Sequence, residues 1–359
     1  MPATLSARAA ARLHGGTMIP AHPLVVTADG ALDERRQRAL TRYYLDAGAG
    51  GLAVGVHTTQ FGIRKAGLLR PVLELAADTA RAHSGEPPLL VAGVAGRTAE
   101  AVAEAETAAA LGYDLAMVIL RGLDDLGDEQ LIGHLAAVGE VLPLCGFYLQ
   151  SAVGGRRLDA AFWRRLAELP ALRAVKIAPF DRYRTIDVVR GVCESGRADD
   201  IALYTGNDDN ILVDLLTEYV VPVGGVPVRK RIVGGLLGQC AVWTRPAVAL
   251  LHRAHAAVRT GHVDAELLTL AAQLTDANGA VFDVAGGFAG CVPGIHEVLR
   301  RQGLLDGIRL LDPNEVLSPG QADELDRVIR AYPHLTDDEF VSAHLDAWLG
   351  AGAHVTDPD

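Results

Sequence analysis

The chain is dominated by a repeat in which short apolar segments alternate with longer, alanine-rich amphipathic segments. The short segments have the composition of buried β-strands and the longer ones have the periodicity of helices. Eight strands are predicted, at Met18–Val26, Gly51–Val56, Pro88–Val94, Leu115–Leu120, Leu142–Gln150, Leu172–Ala178, Ile201–Thr205 and Tyr219–Val226. Helices between them are predicted at Asp33–Ala47, Thr98–Leu111, Asp128–Val141 and Leu158–Leu169. Eight strand–helix units favour a (β/α)8 TIM barrel of about 250 residues. A doubly wound sheet is the alternative, but it usually needs fewer strands.

The strand signals stop after about Pro227, and helical patterns continue from there. These helices are predicted at Val228–Thr260, Asp264–Asn278, Pro293–Gly303, Ser318–Tyr332 and Asp337–Leu349. The first of them is expected to include the eighth helix of the barrel. The sequence therefore divides into an N-terminal arm (residues 1–13), a (β/α)8 barrel (14–235), a helical C-terminal extension (236–349) and a disordered tail (350–359).

Composition excludes several classes of partner. The net charge is −11 and no long basic run is present, so neither nucleic acid nor a membrane surface is an expected partner. No segment approaches the roughly 18 uncharged apolar residues of a membrane span, and the N-terminus lacks the apolar core of a secretory signal. The four cysteines are far apart, which favours a reducing, cytoplasmic compartment and neither a disulfide framework nor a metal site.

Lys176 is the most informative single residue. The chain has 33 cationic side chains, and only Lys65, Lys176 and Lys230 are lysines. Lys176 lies inside an apolar run, where its neighbours on the same strand face are the small residues Ala174 and Ala178. Burial lowers the pKa of a lysine, and a neutral amine is what Schiff-base chemistry requires. A lysine that snorkels from a strand end is the alternative.

Polar residues follow several of the predicted strands, at the carboxyl ends where barrels place their catalytic groups. They are His57, Thr58, Thr59 and Gln60 after strand two, Tyr148 and Gln150 in strand five, Asn207 and Asp208 after strand seven, and Gly225 after strand eight. A phenol close to an amine can carry protons during imine formation. Two threonines can offer hydroxyl and N–H donors to a carboxylate. Amine, phenol and threonine pair together describe a site for a 2-oxo acid.

Each of these residues also has a structural alternative. Paired threonines are ordinary at strand ends, and Tyr148 can be a core aromatic with a satisfied hydroxyl. His57 can be a loop histidine. Asp208 and Asp209 can cap the following helix. The order and spacing of the whole set favour the functional interpretation.

With these residues the chain resembles the dihydrodipicolinate synthase/N-acetylneuraminate lyase family of class I aldolase-type barrels, over roughly residues 14–333. The resemblance rests on His57-Thr58-Thr59-Gln60-Phe61, Tyr148-Leu149-Gln150-Ser151, Ala174-Val175-Lys176 and Gly206-Asn207-Asp208. It implies that Lys176 forms the Schiff base, that Tyr148 shuttles protons, and that Thr58 and Thr59 hold the carboxylate, with Thr59 linked to Tyr148. The predicted substrate-binding residues are Thr58, His57, Gln60, Gln150, Asn207 and Gly225.

The chain also departs from the family pattern. The Pro-Tyr-Tyr usual after strand four is replaced by Leu120-Arg121-Gly122, so the tyrosine that a neighbouring subunit lends is missing. The Arg-Thr-Gly after strand five, whose arginine grips the second substrate's carboxylate in the synthases, is also lost. This argues against dihydrodipicolinate synthase itself, although Arg121 or Arg156 can compensate.

These features predict a lysine-dependent lyase that makes or breaks a C–C bond of a 2-oxo acid such as pyruvate, with an aldehyde as second substrate. No metal or organic cofactor is expected. A dehydratase of a sugar-derived 2-oxo acid is the close alternative, because the same imine serves elimination. A non-catalytic barrel that binds a small acid is the alternative of another class. The resemblance further implies a homodimer or homotetramer.

Overall fold

The computed structural model describes residues 3–350, and it confirms a (β/α)8 barrel with a helical C-terminal region. Seven strands occupy positions predicted from the sequence. They are β1 (Met18–Pro20), β2 (Gly51–Val54), β3 (Leu89–Val94), β4 (Leu115–Val118), β5 (Leu144–Leu149), β6 (Leu172–Ala178) and β7 (Ala202–Thr205). From β2 to β7, neighbouring strands pair in parallel. Ala21, just after β1, bridges Ala53 of β2 and closes this side of the barrel.

The eighth barrel strand lies later in the chain than predicted. Tyr219–Val226 is not a barrel strand, because β8 (Glu218–Val223) folds back antiparallel on the first half of β9 (Val226–Leu237). The two form a hairpin that turns at Gly224 and Gly225, whose φ angles are 58° and 85°.

Only the second half of β9 enters the barrel. There it pairs in parallel with β7, from Leu203–Ile232 to Thr205–Gly235, and with β1, from Met18–Gly235 to Pro20–Leu237. The predicted helix Val228–Thr260 is therefore wrong in its first part, and the predicted barrel border at residue 235 falls inside β9.

Gly234 explains why a strand with two adjacent glycines fits this position. A Cβ at residue 234 would lie 2.4 Å from the carbonyl oxygen of Thr17 and 2.6 Å from the ring of Tyr204. Only glycine leaves room for that approach of backbone and ring.

Helices follow the barrel strands and pack on their outer faces. They are α2 (Glu34–Asp46), α3 (Leu69–Ala82), α4 (Thr98–Ala110), α5 (Asp128–Gly139), α6 (Ala160–Glu168), α7 (Arg182–Glu194), α8 (Ile211–Leu216) and α9 (Thr244–Thr260). Side-chain caps begin three of them, at Asp33, Asp159 and Asp181, because a carboxylate accepts the first free N–H groups of a helix.

The remaining helices lie at the two ends of the described chain. Helix α1 (Ala7–Gly15) precedes the barrel, and α10 (Ala265–Val281), α11 (Cys291–Arg301), α12 (Gln321–Ala331) and α13 (Asp338–Leu349) form the C-terminal region. Helix α13 packs on α2, where the Trp348 indole donates a hydrogen bond to Asp46 over 2.6 Å. Apart from Gly350, the predicted disordered tail lies outside the described residues. Within residues 3–350, no helix is both long enough and apolar enough to cross a membrane.

The hydrophobic core has two layers, one inside the barrel and one between the strands and the helices. A strand residue in the inner layer points into the barrel, and one in the outer layer points toward the helices. The inner layer fills the barrel and includes Cys145 and Phe147 of β5 and Ala174 and Ala178 of β6. The outer layer lies between strands and helices and includes Tyr148. Helix α1 contributes Ala9 and Leu13 to the inner layer, so it covers the amino ends of the strands.

Candidate active site

Lys176 points into the barrel, as the small neighbours on its strand face predict. Its side chain is 7% exposed, and its amine lies 4.6 Å from the ring centre of Phe147 on the adjacent strand. Gly206, just after β7, supplies part of the space, since a Cβ there would come within 2.8 Å of Lys176 Cε. The amine therefore lies near the carboxyl ends of β5, β6 and β7.

The surroundings of Lys176 favour its neutral form. Burial lowers the pKa of the amine, and the carboxyl group of Asp208 opposes this shift only in part. Cys145 and Cys240 are also close enough to interact with the amine electrostatically, and burial raises the pKa of both thiols to about 12, so they are uncharged at neutral pH. A neutral amine in an apolar chamber is the state that attacks a carbonyl carbon.

Lys176 lines an inner cavity of about 50 Å³. Its walls are mainly aromatic and aliphatic, with a few polar groups placed among them. Four of the seven phenylalanines of the chain line it, namely Phe147, Phe180, Phe282 and Phe288. The polar groups that share the cavity with Lys176 belong to His57, Thr58, Gln150, Asp208 and Cys291. A water molecule needs about 10–15 Å³ by this measure, so the cavity suits a compound of a few heavy atoms.

An outer cavity of about 480 Å³ adjoins the inner one, and His57, Val153, Phe288 and Cys291 line both. Arg121 lies in its wall with the guanidinium carbon 5.3 Å from the centre of the Phe61 ring. Asp312 and Glu315 line it as well. A site for a small compound is thus connected to a larger space of mixed polarity.

Of the two arginines proposed to compensate for the lost family arginine, only Arg121 lines a cavity. Arg156 instead donates hydrogen bonds to the carbonyl oxygens of Leu123 and Leu126, over 3.2 and 3.0 Å, and so holds the loop after β4.

The placement of Tyr148 contradicts its predicted role. Tyr148 belongs to the outer core layer and points from β5 toward α6, away from Lys176. Its hydroxyl donates to the carbonyl oxygen of Leu158 over 3.1 Å, and its ring packs against Trp163 at 5.3 Å between centres. The residue of β5 that faces the amine is Phe147, which has no ionisable group. Tyr148 is therefore the core aromatic that the alternative interpretation described.

The two threonines have different environments. Thr58 lines the inner cavity, and its hydroxyl donates to the carbonyl oxygen of Ala21 over 2.6 Å. Thr59 is fully buried behind it. Its hydroxyl donates to the carbonyl oxygen of His22 over 2.7 Å and accepts from the backbone of Gly55 over 3.0 Å. Thr59 thus ties the loop after β2 to the segment after β1, and no link to Tyr148 is formed.

His57 lies between the two cavities, where burial, Lys176 and Arg121 lower the pKa of its imidazole to about 4. Gln60 lines only the outer cavity, and its side-chain oxygen accepts a hydrogen bond from the backbone of Leu311 over 2.6 Å. Gln150 lines only the inner one. The structure therefore brings His57, Gln60 and Gln150 to the cavities, and their contact with substrate stays a prediction.

Asn207 and Gly225 were predicted to bind substrate, and the structure places both elsewhere. Asn207 is fully buried outside the cavities, where its amide holds the strand end together. It accepts from the backbone of Phe180 over 3.1 Å and donates to Asp214 over 2.9 Å. Gly225 lies in the turn of the β8–β9 hairpin, before the amino end of the barrel part of β9. That is the opposite end of the barrel from Lys176. The prediction failed because it placed the eighth barrel strand at Tyr219–Val226, too early in the chain.

Asp208 lines the inner cavity but was left out of the predicted site, because its sequence position also suits a helix cap. It lines the inner cavity with Lys176, and its carboxylate oxygen accepts a hydrogen bond from the backbone of Gln239 over 3.2 Å. Burial raises the pKa of this carboxyl to about 7, although Lys176 and Gln239 act against the shift. Its position directly after a strand that neighbours the lysine strand was the available signal.

Backbone strain is concentrated at the cavities. Five non-glycine residues of the described chain have φ between 50° and 71°, and Gln60, Phe180 and Phe288 among them line a cavity wall. The rings of Phe180 and Phe288 meet at an angle of 62°, with 5.7 Å between centres. Asp283, another of the five, accepts hydrogen bonds from the backbone of Gly286 and Gly290 and so shapes the segment that carries Phe288. Such strain persists only where packing imposes it, and it is commonest at functional sites.

Comparison with known proteins agrees with this geometry. A model of the dihydrodipicolinate synthetase family matches residues 16–239. The chain is 30% identical over 216 residues to the 4-hydroxy-tetrahydrodipicolinate synthase of Moorella thermoacetica, covering 58% of this chain and 68% of that one. It is 28% identical over 222 residues to the enzyme of the same name from Prochlorococcus marinus, covering 61% and 70%.

Solved structures show the same fold at lower identity. YagE, a prophage protein of the dihydrodipicolinic acid synthase family from E. coli K12 solved in complex with pyruvate, has a TM-score of 0.72 at 20% identity, with 89% of this chain and 98% of YagE covered. CdNal from Clostridium difficile, solved in complex with mannosamine, has a TM-score of 0.67 at 17% identity, with 88% and 99% covered. These structural matches confirm the fold, and the family model confirms the resemblance inferred from the motifs.

Proposed function

The chain belongs to the dihydrodipicolinate synthetase family of class I aldolase-type lyases, and on that premise we propose that Lys176 forms a Schiff base with a 2-oxo acid such as pyruvate. The observation that carries the proposal is the amine of Lys176 in the inner cavity. Burial lowers the pKa of this amine, which favours the neutral, nucleophilic form. The complex of YagE with pyruvate supports the same class of ligand.

The proposed reaction follows from the chemistry of an imine. The amine attacks the carbonyl carbon and water leaves, and the protonated imine withdraws electrons from the neighbouring carbon. A C–C bond at that carbon can then form or break through an enamine. The small inner cavity suits the three carbons of pyruvate, and the outer cavity beside it suits the aldehyde that joins or leaves.

Phe147 gives weight to one alternative. Because a phenylalanine rather than a phenol faces the amine, the barrel can capture a 2-oxo acid without turning it over. Such a binding protein would form the imine slowly and release the same acid unchanged. A dehydratase would form the same imine and eliminate water from a longer 2-oxo acid. Product analysis separates the three activities, since only a lyase yields a new C–C bond or a free aldehyde.

Borohydride trapping tests the imine directly. The protein is incubated with pyruvate, reduced with sodium borohydride, digested and analysed by mass spectrometry. We expect the reduced adduct on the peptide that contains Lys176 and on no other lysine peptide.

Lys230 is the matched control, because burial lowers the pKa of its amine as well, yet it lies on the hairpin strand. Lys176→Met should abolish the adduct and Lys230→Met should leave it intact. If the wild-type protein yields no adduct with pyruvate or with a panel of other 2-oxo acids, the proposed function is wrong.

The expected homodimer or homotetramer and the expected cytoplasmic location stay predictions. Light scattering coupled to gel filtration measures the former. The outcome matters for the site, since the tyrosine that a neighbouring subunit lends in the family has no counterpart after β4 of this chain.

A further inference from the structure

The inner cavity contains the amine for an imine but no phenol to move protons. None of the eight tyrosines of the chain, all of which lie in the described part, lines either cavity. Imine formation nevertheless requires a proton at the departing hydroxyl, and enamine formation requires a base at the neighbouring carbon. Some other group of the inner cavity has to supply both.

Three titratable side chains share the inner cavity with Lys176, and they come from different elements. His57 follows β2, Asp208 follows β7, and Cys291 begins α11. Burial raises the pKa of the Cys291 thiol, which makes it a poor proton donor. His57 also lines the outer cavity, and a pKa of about 4 leaves its imidazole with little protonated form at neutral pH.

Asp208 differs from both because it lines only the inner cavity and because it follows β7, the strand that pairs with the Lys176 strand. We propose that Asp208 is the catalytic acid and base of the Lys176 imine, in the role that the family resemblance assigns to a tyrosine. This inference rests on the proposed function and adds the proton-transfer group to it.

The proposed steps balance in protons and charge. The neutral amine adds to the carbonyl carbon to give a neutral carbinolamine. The protonated carboxyl of Asp208 donates to the hydroxyl, water leaves, and an iminium cation and a carboxylate remain as a pair. The carboxylate then removes a proton from the carbon next to the iminium carbon, which gives the neutral enamine and restores the protonated carboxyl. When the enamine attacks an aldehyde, the same carboxyl protonates the new oxygen.

The electrostatic setting of Asp208 suits both roles. The titratable groups that act on it are Lys176, which shares the cavity, and Asp209, its neighbour in the chain. The thiols of Cys240 and Cys291 also lie close to it. Burial raises its pKa to about 7, so acid and base forms are both populated near neutral pH, where proton transfer is most efficient.

Rapid-quench borohydride trapping over pH 5 to 9 tests the inference with three variants. Asp208→Asn keeps an oxygen for the backbone of Gln239 but cannot exchange a proton. Asp208→Glu keeps the carboxyl. Asp209→Asn is the control, since that side chain pairs with Arg182 over 3.2 Å outside the cavities. Thermal unfolding of each variant establishes that it is folded.

We expect Asp208→Asn to slow imine formation about 10²–10³-fold, the usual contribution of a positioned acid or base, and to remove the ionisation near pH 7 from the rate profile. Asp208→Glu should recover part of the rate. Asp209→Asn should keep the wild-type rate and move the ionisation slightly to lower pH, because a neighbouring negative charge that raises the pKa of Asp208 is gone. Given enough time, Asp208→Asn should still form the adduct on Lys176.

The result that would overturn the inference is a wild-type rate and pH profile in folded Asp208→Asn, or loss of the ionisation in His57→Asn instead. Failure of the proposed function looks different, because the wild-type protein itself then gives no adduct. If Asp208→Asn does not fold, the rate and pH profile of Asp208→Glu are compared with those of the wild type. A wild-type rate with an unshifted pH profile in Asp208→Glu would count against the inference.

Discussion

The reactivity of Lys176 depends as much on what its neighbours lack as on the amine itself. Ala178 and Gly206 stand on either side of its side chain, and an added Cβ at Gly206 would lie 2.8 Å from both Lys176 Cε and Ala178 Cβ. The backbone of Gly206 is anchored by a hydrogen bond of 2.7 Å to Ile177, so it cannot retreat. A single methyl group at this position would therefore displace the lysine chain.

Gly206→Ala should accordingly reduce the rate of imine formation at Lys176 by at least about tenfold, because overpacking forces the side chain off its preferred rotamer. Unfolding in urea should show a loss of about 1–3 kcal/mol. Gly133→Ala in α5 is the control, since a Cβ there meets nothing within 4 Å. A Gly206→Ala variant that traps pyruvate at the wild-type rate would contradict this account of the cavity.

Residue patterns identified Lys176 but misplaced Tyr148, and the reason is physical. Alternation along a strand shows which residues share a face but does not show which face is inside. Lys176 shares its face with Ala174 and Ala178, and an inward lysine needs such neighbours. On β5 the pairing with β6 shifts register after Leu144, and a one-residue shift exchanges the two faces of a strand. Nothing in the local sequence of β5 signals that shift.

At the scale of elements, the β8–β9 hairpin explains the one error in strand order. Glu218–Val223 has the alternation and the β-branched residues of a strand, and two glycines end it. The true barrel segment, at the end of β9, contains Gly234 and Gly235 and so resembles a helix break. The first seven strands and the barrel itself were predictable because each is a continuous apolar run between helices.

The hairpin turn yields a prediction of its own. Gly225 has a φ of 85° and open space around its Cβ position, so a substitution there is opposed by the backbone alone. Gly225→Val should lower the free energy of unfolding by about 1–2 kcal/mol, and Gly225→Asn should lose less, because Asn tolerates a left-handed conformation. Urea unfolding measures both. The rate of pyruvate trapping on Lys176 should be unchanged in each variant. A slower rate would support the original prediction that Gly225 contacts the substrate.

At the scale of the whole molecule, three buried histidines contribute to the response to acid. Burial lowers the pKa of His22, His57 and His296 from 6.5 to about 4. Between pH 6.5 and pH 4 these three histidines bind protons in the unfolded chain but not in the folded chain. The three histidines therefore lower the stability as the pH drops from about 6.5 toward 4, whereas the raised pKa of the Asp208 carboxyl acts in the opposite direction. Neither ring nitrogen of His296 has a hydrogen-bond partner among the described residues, so nothing offsets the burial of this histidine.

His296→Met removes one of these groups at similar volume. On going from pH 7.5 to pH 5, the free energy of unfolding of the variant should fall by about 2 kcal/mol less than that of the wild type. The figure follows from about 1.4 kcal/mol per pH unit below 6.5. Urea unfolding at the two pH values measures the difference. His252→Met is the control, because His252 is exposed on α9. An equal shift in both variants would show that burial is not the cause.

Helix α1 has a consequence for the order of events at the site. Ala9 and Leu13 pack into the barrel, and Leu13 accepts a hydrogen bond of 2.9 Å from the hydroxyl of Tyr204, so α1 covers the amino ends of the strands. Entry to Lys176 is therefore from the carboxyl ends of the strands, where the outer cavity adjoins the inner one. In the proposed reaction, the small acid should enter before a bulky second substrate that fills the outer cavity. On the proposed function we expect ordered steady-state kinetics, with dead-end inhibition by a compound that binds in the outer cavity alone.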